Sequence, residues 1–209
     1  MITIITRTSN RPALLERLIK TIVFQSYKDI THLILADNNR AVDYTTKICH
    51  KLKYKAKVVK VKKESNNNGF YNLYLNTGIQ LVNEGWIMFV DDDDYLIGNC
   101  IEKIMTQIKD ENRIYICQYL RSYRAKPMKE LFKNINYQAG QNDNFKCGNI
   151  GGGCLIFKKS QVKGCLWDDR RCSDFRFIKQ MTAINNYTFI PIVAQRTTPS
   201  GNKGENLYK

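Results

Sequence analysis

Much of what commonly carries chemistry is scarce in this sequence. It holds only two histidines, His32 and His50, so a histidine-rich zinc site or a chain of histidine acid-base steps is not expected. Its seven cysteines (Cys49, Cys100, Cys117, Cys147, Cys154, Cys165 and Cys172) form no Cys-x-x-Cys pair. That removes the usual zinc and dithiol signatures and leaves most of them as reduced, structural thiols. No apolar run approaches the roughly 18 residues that a membrane span requires, and residues 1–7 carry neither a basic leader nor a small-residue cleavage site. A soluble, intracellular, cytoplasmic protein without a transmembrane segment is therefore expected. Acidic residues are few as well, 19 against 33 basic ones, for a formal net charge of +14. Such a balance suits nucleic acid, an anionic membrane face, a small phosphorylated substrate or simply a solvated lysine-rich surface. With histidine so rare, carboxylates must carry any acid-base work.

What is present has the make-up of one ordinary globular domain: 209 residues, 43% hydrophobic and 25% charged. Residues 2–6, rich in β-branched side chains, read as a buried strand that ends in the polar Arg7-Thr8-Ser9-Asn10. Pro12 opens a helix whose Leu14, Leu15, Leu18, Ile19, Ile22 and Val23 recur at helical spacing. Residues 32–36 form a second strand ending at Asp37, 44–52 a helix, and 57–61 a third strand before the turn-rich 65–69. A helix over 71–82 leads to the continuous apolar stretch 86–90, which reads as a buried central strand. Further on come a helix at 101–108 and a strand at 114–120, then a polar, weakly periodic loop region at 126–149. Three glycines at 151–153 precede a strand at 154–157, and a helix runs over 174–183 with Asp174 near its start. This alternation predicts an α/β fold with a mostly parallel central sheet and helices on both faces. Ligands of such sheets bind beyond the carboxyl ends of the strands, where Arg7, Asp37 and Asp91 converge.

The central strand runs straight into Asp91-Asp92-Asp93-Asp94. Four adjacent carboxylates repel one another, and at the mouth of a buried strand they call for a cation. An all-oxygen donor set favours magnesium or manganese, which complete their shells with water and substrate phosphates. An acidic turn facing solvent is the plain alternative.

The segment Phe89-Val90-Asp91-Asp92-Asp93-Asp94-Tyr95-Leu96 resembles the Asp-x-Asp region of family-2 inverting glycosyltransferases with the GT-A fold, a Rossmann-like nucleotide-diphospho-sugar transferase fold. Other segments resemble the family in order. Residues 4–12 are similar to its first strand and nucleotide loop, Gln25-Ser26-Tyr27 to its Gln-Ser/Thr-aromatic step, 33–39 to its strand ending in a base-reading aspartate, and Asn68-Gly69 with Asn76-Thr77-Gly78 to the elements before its metal motif. Two departures stand out: Ala36 replaces the first aspartate of the usual pair at the second strand, and Leu75 replaces an arginine often found before Asn76. The composition is also similar to that of virus-encoded members, such as those of large algal viruses.

The resemblance implies a single GT-A domain over 1–209, with a nucleotide-binding half at about 1–98 and an acceptor and catalytic half at about 99–209. It implies a nucleotide-sugar donor, most readily a UDP-sugar, and a glycan or glycoconjugate acceptor, with Mn2+ or Mg2+ as cofactor. Asp93 with Asp91 would hold the metal. Thr6, Arg7, Thr8, Asp37, Asn68, Asp91 and Asp92 would bind the donor, Asp37 at the base and Asp92 at the ribose or sugar. Asp174 would be the general base, with Asp168 and Asp169 competing for that role, and Gly152, Gly153 and Trp167 would lie on the acceptor side. Each has a plainer alternative: a strand cap for Thr6, Arg7 and Thr8, a turn brace for Asp37, an N-cap for Asp174, a tight bend for the glycines and core packing for Trp167. Two rival functions remain at this level, a nucleotidyltransferase that releases pyrophosphate and a basic nucleic-acid-binding module. Four acids beside the cleft argue against the second, so no nucleic-acid partner is expected. The length also leaves room for this being one module of a larger polypeptide.

Overall fold

The structure, a computed structural model, describes residues 1–62, 72–121, 138–139, 147 and 150–197. Asn68, the turn-rich 65–69 and most of 126–149 lie outside the described residues. The first strand, β1 (Ile2–Thr8), shows how the sheet is sandwiched. Its side chains alternate between two faces. Ile2 and Ile4 pack with Leu18 and Ile22 of α1 (Pro12–Val23), whereas Ile5 packs with Leu75 and Ile79 of α3 (Tyr74–Gln80).

The same alternation runs through β2 (Ile30–Ala36) and β4 (Trp86–Phe89). Ile34 meets α1 and α2 (Asn39–Lys51), while Leu33, Leu35, Ile87 and Phe89 point to the opposite core. Helix α1 has no side-chain N-cap, but Pro12 is pre-set for the first turn, and the helix buries Leu14, Leu15, Leu18, Ile19 and Ile22. At about 2 kcal/mol for each buried side chain, that face outweighs the missing cap, which is worth about 1 kcal/mol. Helix α3 comes so close to the sheet that a Cβ at Gly78 would sit 2.8 Å from Leu35 Cδ1 and 3.0 Å from Ile5 Cγ2.

The nine-stranded sheet has the order β3-β2-β1-β4-β8-β6-β9-β5, with β7 (Gln138–Ala139) paired to β6 (Ile114–Arg121). β3 (Lys57–Lys60), β2, β1 and β4 are all parallel. β8 (Leu155–Lys158) is antiparallel to both β4 and β6, and β9 (Tyr187–Thr197) runs parallel to β6. β6 and β9 therefore share the sense of the first four strands, and β8, β7 and the short β5 (Tyr95–Leu96) run the other way. Six of the nine strands share one sense, as the sequence predicts for a mostly parallel sheet; the pairs from β3 to β4 are all parallel and the second half is mixed. Helices α4 (Cys100–Gln107) and α5 (Ser173–Ile184) cover opposite faces, with Ile101 and Ile104 in the α1 core and Phe177, Ile178 and Met181 in the α3 core.

Helix α3 is shorter than the sequence suggests, and β5 and β9 are strands beyond those read from the sequence. β9 contains Pro191 beside a break in its register with β6, between the pairs Ile116–Phe189 and Gln118–Val193. Proline cannot donate to the ladder and is tolerated at such irregularities, which also spoil the period-two pattern. Most of the cysteines are free thiols, as expected: Cys49, Cys100, Cys117, Cys154 and Cys165, while Cys147 and Cys172 are joined in a disulfide. No helix among the described residues is long and apolar enough to cross a membrane.

Candidate active site

The chain leaves β4 at Phe89 and turns sharply, the Asp94 N–H donating to the Asp91 carbonyl at 3.0 Å. The turn is held by three arginines, Arg7 from β1 and Arg11 and Arg17 from the cap and body of α1. Arg7 donates to both oxygens of Asp91, at 2.8 and 3.2 Å, and to Asn72 Oδ1. Arg11 forms ion pairs with Asp93 Oδ2 at 2.5 Å and with Asp92 Oδ1. Arg17 donates to the Asp93 carbonyl at 2.5 Å and lies over the Tyr95 ring. The repulsion among the four carboxylates, read from sequence as a demand for a metal ion, is thus already offset in part by Arg7 and Arg11. Neither Arg11 nor Arg17 stood out in the sequence as a site residue.

The four aspartates have different surroundings. Asp92 is 0% exposed, accepts a hydrogen bond from Thr8 Oγ1 at 2.8 Å and faces Arg11. Burial pushes its carboxyl up to about 7, against the opposing pull of Arg11. In this position it ties the turn to Thr8 and Arg11. Burial also works against the Asp91 charge, but Arg7 beside it prevails and holds the carboxyl below its ordinary range. Asp91, Asp93 and Asp94 each offer an oxygen within 4.8 Å of the others. Asp93 and Asp94 are only 5% and 9% exposed. Three hard oxygen donors so grouped fit a magnesium or manganese ion, and Asp94 joins the two ligands read from sequence.

Of the expected donor-binding residues, Thr8 takes part in the Asp92 network, its Oγ1 also lying 2.6 Å from the Tyr44 hydroxyl. Asp37 sits at the carboxyl end of β2, buried, accepting from the Asn38 side chain at 2.6 Å. Thr6 lies deeper along β1: it is fully buried, with its Oγ1 2.9 Å from His32 Nε2. Desolvation drives that histidine down to about 3, so it stays neutral in the sheet interior.

A cavity of about 220 Å3 opens beside the turn, lined by Arg7, Asp91, Asp94 and Asp174 among others. Gly152, Gly153 and Trp167 form part of its wall. Trp167 stacks on Phe177 and meets Phe89 edge-on, so it belongs to the core as well as to the cavity. Asn76 fixes it through both backbone groups, accepting from its N–H at 2.9 Å and donating to its carbonyl at 3.0 Å.

Asp174 lies in the first turn of α5, where its Oδ1 accepts from the Phe175 N–H at 2.8 Å. Burial raises its pKa, and that N–H offsets only part of the rise. Its competitor Asp168 is gripped by Arg176 at 2.6 and 2.5 Å, which holds its carboxyl well below the usual range. Neither Asp168 nor Asp169 lines the cavity, and Asp174 does.

Comparison with known proteins places this architecture. Residues 3–164 match the model of Glycosyl transferase family 2. The chain is 28% identical over 109 residues to the GalNAc(5)-diNAcBac-PP-undecaprenol beta-1,3-glucosyltransferase of Campylobacter jejuni, covering 52% of this chain and 35% of that protein. It is similar to the crystal structure of S. aureus TarS, with a TM-score of 0.69 and 13% identity, over 94% of this chain and 36% of that one. TarS 1-349 in complex with UDP-GlcNAc gives a TM-score of 0.68 and 13% identity, over 100% of this chain and 61% of that one. The mannosyltransferase PcManGT from Pyrobaculum calidifontis, in complex with GDP-Man and Mn2+, gives 0.67 and 13%, over 99% and 59%. These structural likenesses speak for the fold, which is GT-A. The chain spans about a third of the length of the curated relative it matches. With the family model covering most of its residues, the chain belongs to glycosyltransferase family 2.

Proposed function

We propose that this chain, as a single GT-A domain over 1–209, transfers a sugar from a nucleotide diphosphate donor to an acceptor hydroxyl with inversion of configuration. The observation that carries the reading is one juxtaposition: Asp91, Asp94 and Asp174 line the same cavity. A donor whose diphosphate lay at the aspartate turn would put its sugar between that turn and Asp174. Uridine diphosphate is the proposed carrier, with Asp37 accepting the imide N–H of the base. The bound nucleotides named for the similar structures, UDP-GlcNAc and GDP-Man, support the donor class.

Asp91, Asp93 and Asp94 would hold a manganese or magnesium ion, which when bound supplies Lewis-acid stabilisation of the charge growing on the leaving diphosphate. Arg7 adds a fixed positive charge at the same place, and Arg11 and Arg17 keep the turn in shape. Asp174 takes the proton of the acceptor hydroxyl at Oδ2, since Oδ1 is engaged by the Phe175 N–H. As that proton leaves, the acceptor oxygen bonds to the anomeric carbon, and the bond from that carbon to the diphosphate oxygen breaks. One displacement inverts the centre and releases a nucleoside diphosphate. The acceptor is proposed to be a glycan or glycoconjugate.

The test is Asp174→Asn, assayed for donor binding and for transfer. The reading expects intact donor affinity, a transfer rate lower by about 10²- to 10⁴-fold, and release of nucleoside diphosphate by the wild type. Full transfer activity in the variant would remove Asp174 as the base, and release of pyrophosphate instead would point to nucleotidyl transfer.

A further inference from the structure

The reaction proposed above makes no use of one side chain that reaches its cavity. Gln195 stands on β9, across from Leu96 of β5 and Tyr119 of β6. It is 3% exposed and lines the cavity together with Asp91 and Asp174. Its Oε1 is buried and has no hydrogen-bond partner among the described residues. An amide carbonyl kept dry and unpaired is destabilising by an amount comparable to a lost hydrogen bond, so a side chain serving only to pack would be expected to pair inside the fold.

The wall opposite is shaped around this amide. A Cβ built at Gly153 would fall 1.5 Å from Gln195 Nε2 and 2.6 Å from its Cδ, so only glycine leaves the amide room to lie there. The neighbouring Gly152 does the same for Trp167, whose Cη2 would be 2.6 Å from a Cβ. The indole Nε1 is likewise buried without a partner among the described residues. Two consecutive glycines thus admit two polar side chains, both with an unsatisfied atom, to the wall of one cavity of about 220 Å3. At roughly 30 Å3 per water that is the room of about seven waters, enough for one sugar ring.

We infer that Gln195 reads a polar substituent of the sugar being transferred, and that Gly153 is a glycine in order to let it do so. The inference rests on the glycosyltransferase reading above. The ring in question is the donor's, because Asp91 and Asp174 line the same cavity as Gln195, and the donor's anomeric carbon is the atom that both the leaving diphosphate and the attacking oxygen must reach. A sugar hydroxyl both donates and accepts, so it satisfies the amide with either end turned towards it. Gln195 is then a specificity-determining residue rather than a catalytic one.

The experiment compares the wild type, Gln195→Ala, Gly153→Ala and the double variant by calorimetry with Mn2+ present. Each is titrated with UDP-glucose, UDP-N-acetylglucosamine and GDP-mannose, and with UDP and GDP alone. The quantity read is the gain in affinity of the best nucleotide sugar over its own nucleoside diphosphate. That gain is expected to fall about tenfold in each single variant, while nucleoside diphosphate affinity stays within about twofold. The double variant should be no worse than Gln195→Ala, because alanine at 195 removes the atoms that a Cβ at 153 would strike.

The proposal is overturned if Gln195→Ala keeps the gain, if it weakens nucleoside diphosphate and nucleotide sugar equally, or if the two substitutions simply add. A wild type that binds nucleoside diphosphate but shows no sugar gain overturns the role of Gln195 alone. A wild type that binds none of these ligands removes the donor reading itself and this inference with it.

Discussion

Arg11→Ala is the perturbation whose size follows most directly from the geometry. Arg11 pairs with Asp93 at 2.5 Å and with Asp92, which is fully buried. Removing one member of a buried ion pair leaves the other charge uncompensated and is destabilising by about 3–5 kcal/mol. For a chain of 209 residues, each kcal/mol lowers Tm by about 2–4 °C, so the expected drop is about 6–20 °C at pH 8.

The drop should depend on pH in a definite sense. Burial already raises the Asp92 carboxyl to about 7 with Arg11 in place, far above its unfolded value, and loss of Arg11 raises it further. A carboxyl raised on folding favours the folded state at low pH and loses that contribution as pH rises through the folded value. The deficit of Arg11→Ala should therefore shrink on going from pH 8 to pH 5. Asp92→Asn in the Arg11→Ala background removes the stranded charge and should recover most of the loss. Thermal unfolding followed by circular dichroism measures the wild type and both variants. A single variant melting within about 2 °C of the wild type, or no rescue by Asn at 92, would refute the reasoning.

Other outcomes follow from single contacts. The acid limb of the transfer rate should lie at higher pH than an ordinary carboxylate would give, because burial raises Asp174 and only its deprotonated form accepts a proton; a pH profile of kcat decides this. Asp168→Asn should keep most of the transfer activity, since that carboxylate is tied to Arg176. Loss of turnover with donor binding intact would move the base to Asp168. Gly78→Ala should destabilise by about 1–3 kcal/mol through overpacking, because its Cβ would meet Leu35 and Ile5. Denaturant unfolding with an unchanged midpoint would contradict that packing.

The parallel half of the sheet was legible because each of β1, β2 and β4 combines a short apolar run with a helix of clear 3.6-residue period after it. The aspartate turn was legible for the same reason: it begins where the most apolar of these strands ends. Thr6 shares a face of β1 with Thr8 but lies two residues deeper along the strand, where it meets His32; Thr8 at the strand end and Arg7 on the opposite face reach the aspartates.

Arg11 and Arg17 gave no signal, because an arginine at the cap or on the face of a helix reads as a solvated charge until the strand order brings the Asp91–Asp94 turn beside it. The side on which Arg7 and Asp91 converge was the one available clue. Gln195 was hidden more deeply. β9 has Pro191 and a broken register, and its place beside β6 depends on contacts far apart in sequence. The pairing of Cys147 with Cys172 has the same character, since spacing among seven cysteines does not select partners.

The central claim is that the aspartate turn is a metal-dependent donor site. Its most direct test is calorimetric titration of UDP-sugars into the wild type and Asp93→Ala, each with and without Mn2+. The account predicts binding that requires the metal and is lost in the variant. Binding that is unchanged without metal or in Asp93→Ala would contradict it, as would tight, salt-sensitive binding to nucleic acid with no affinity for any nucleotide sugar.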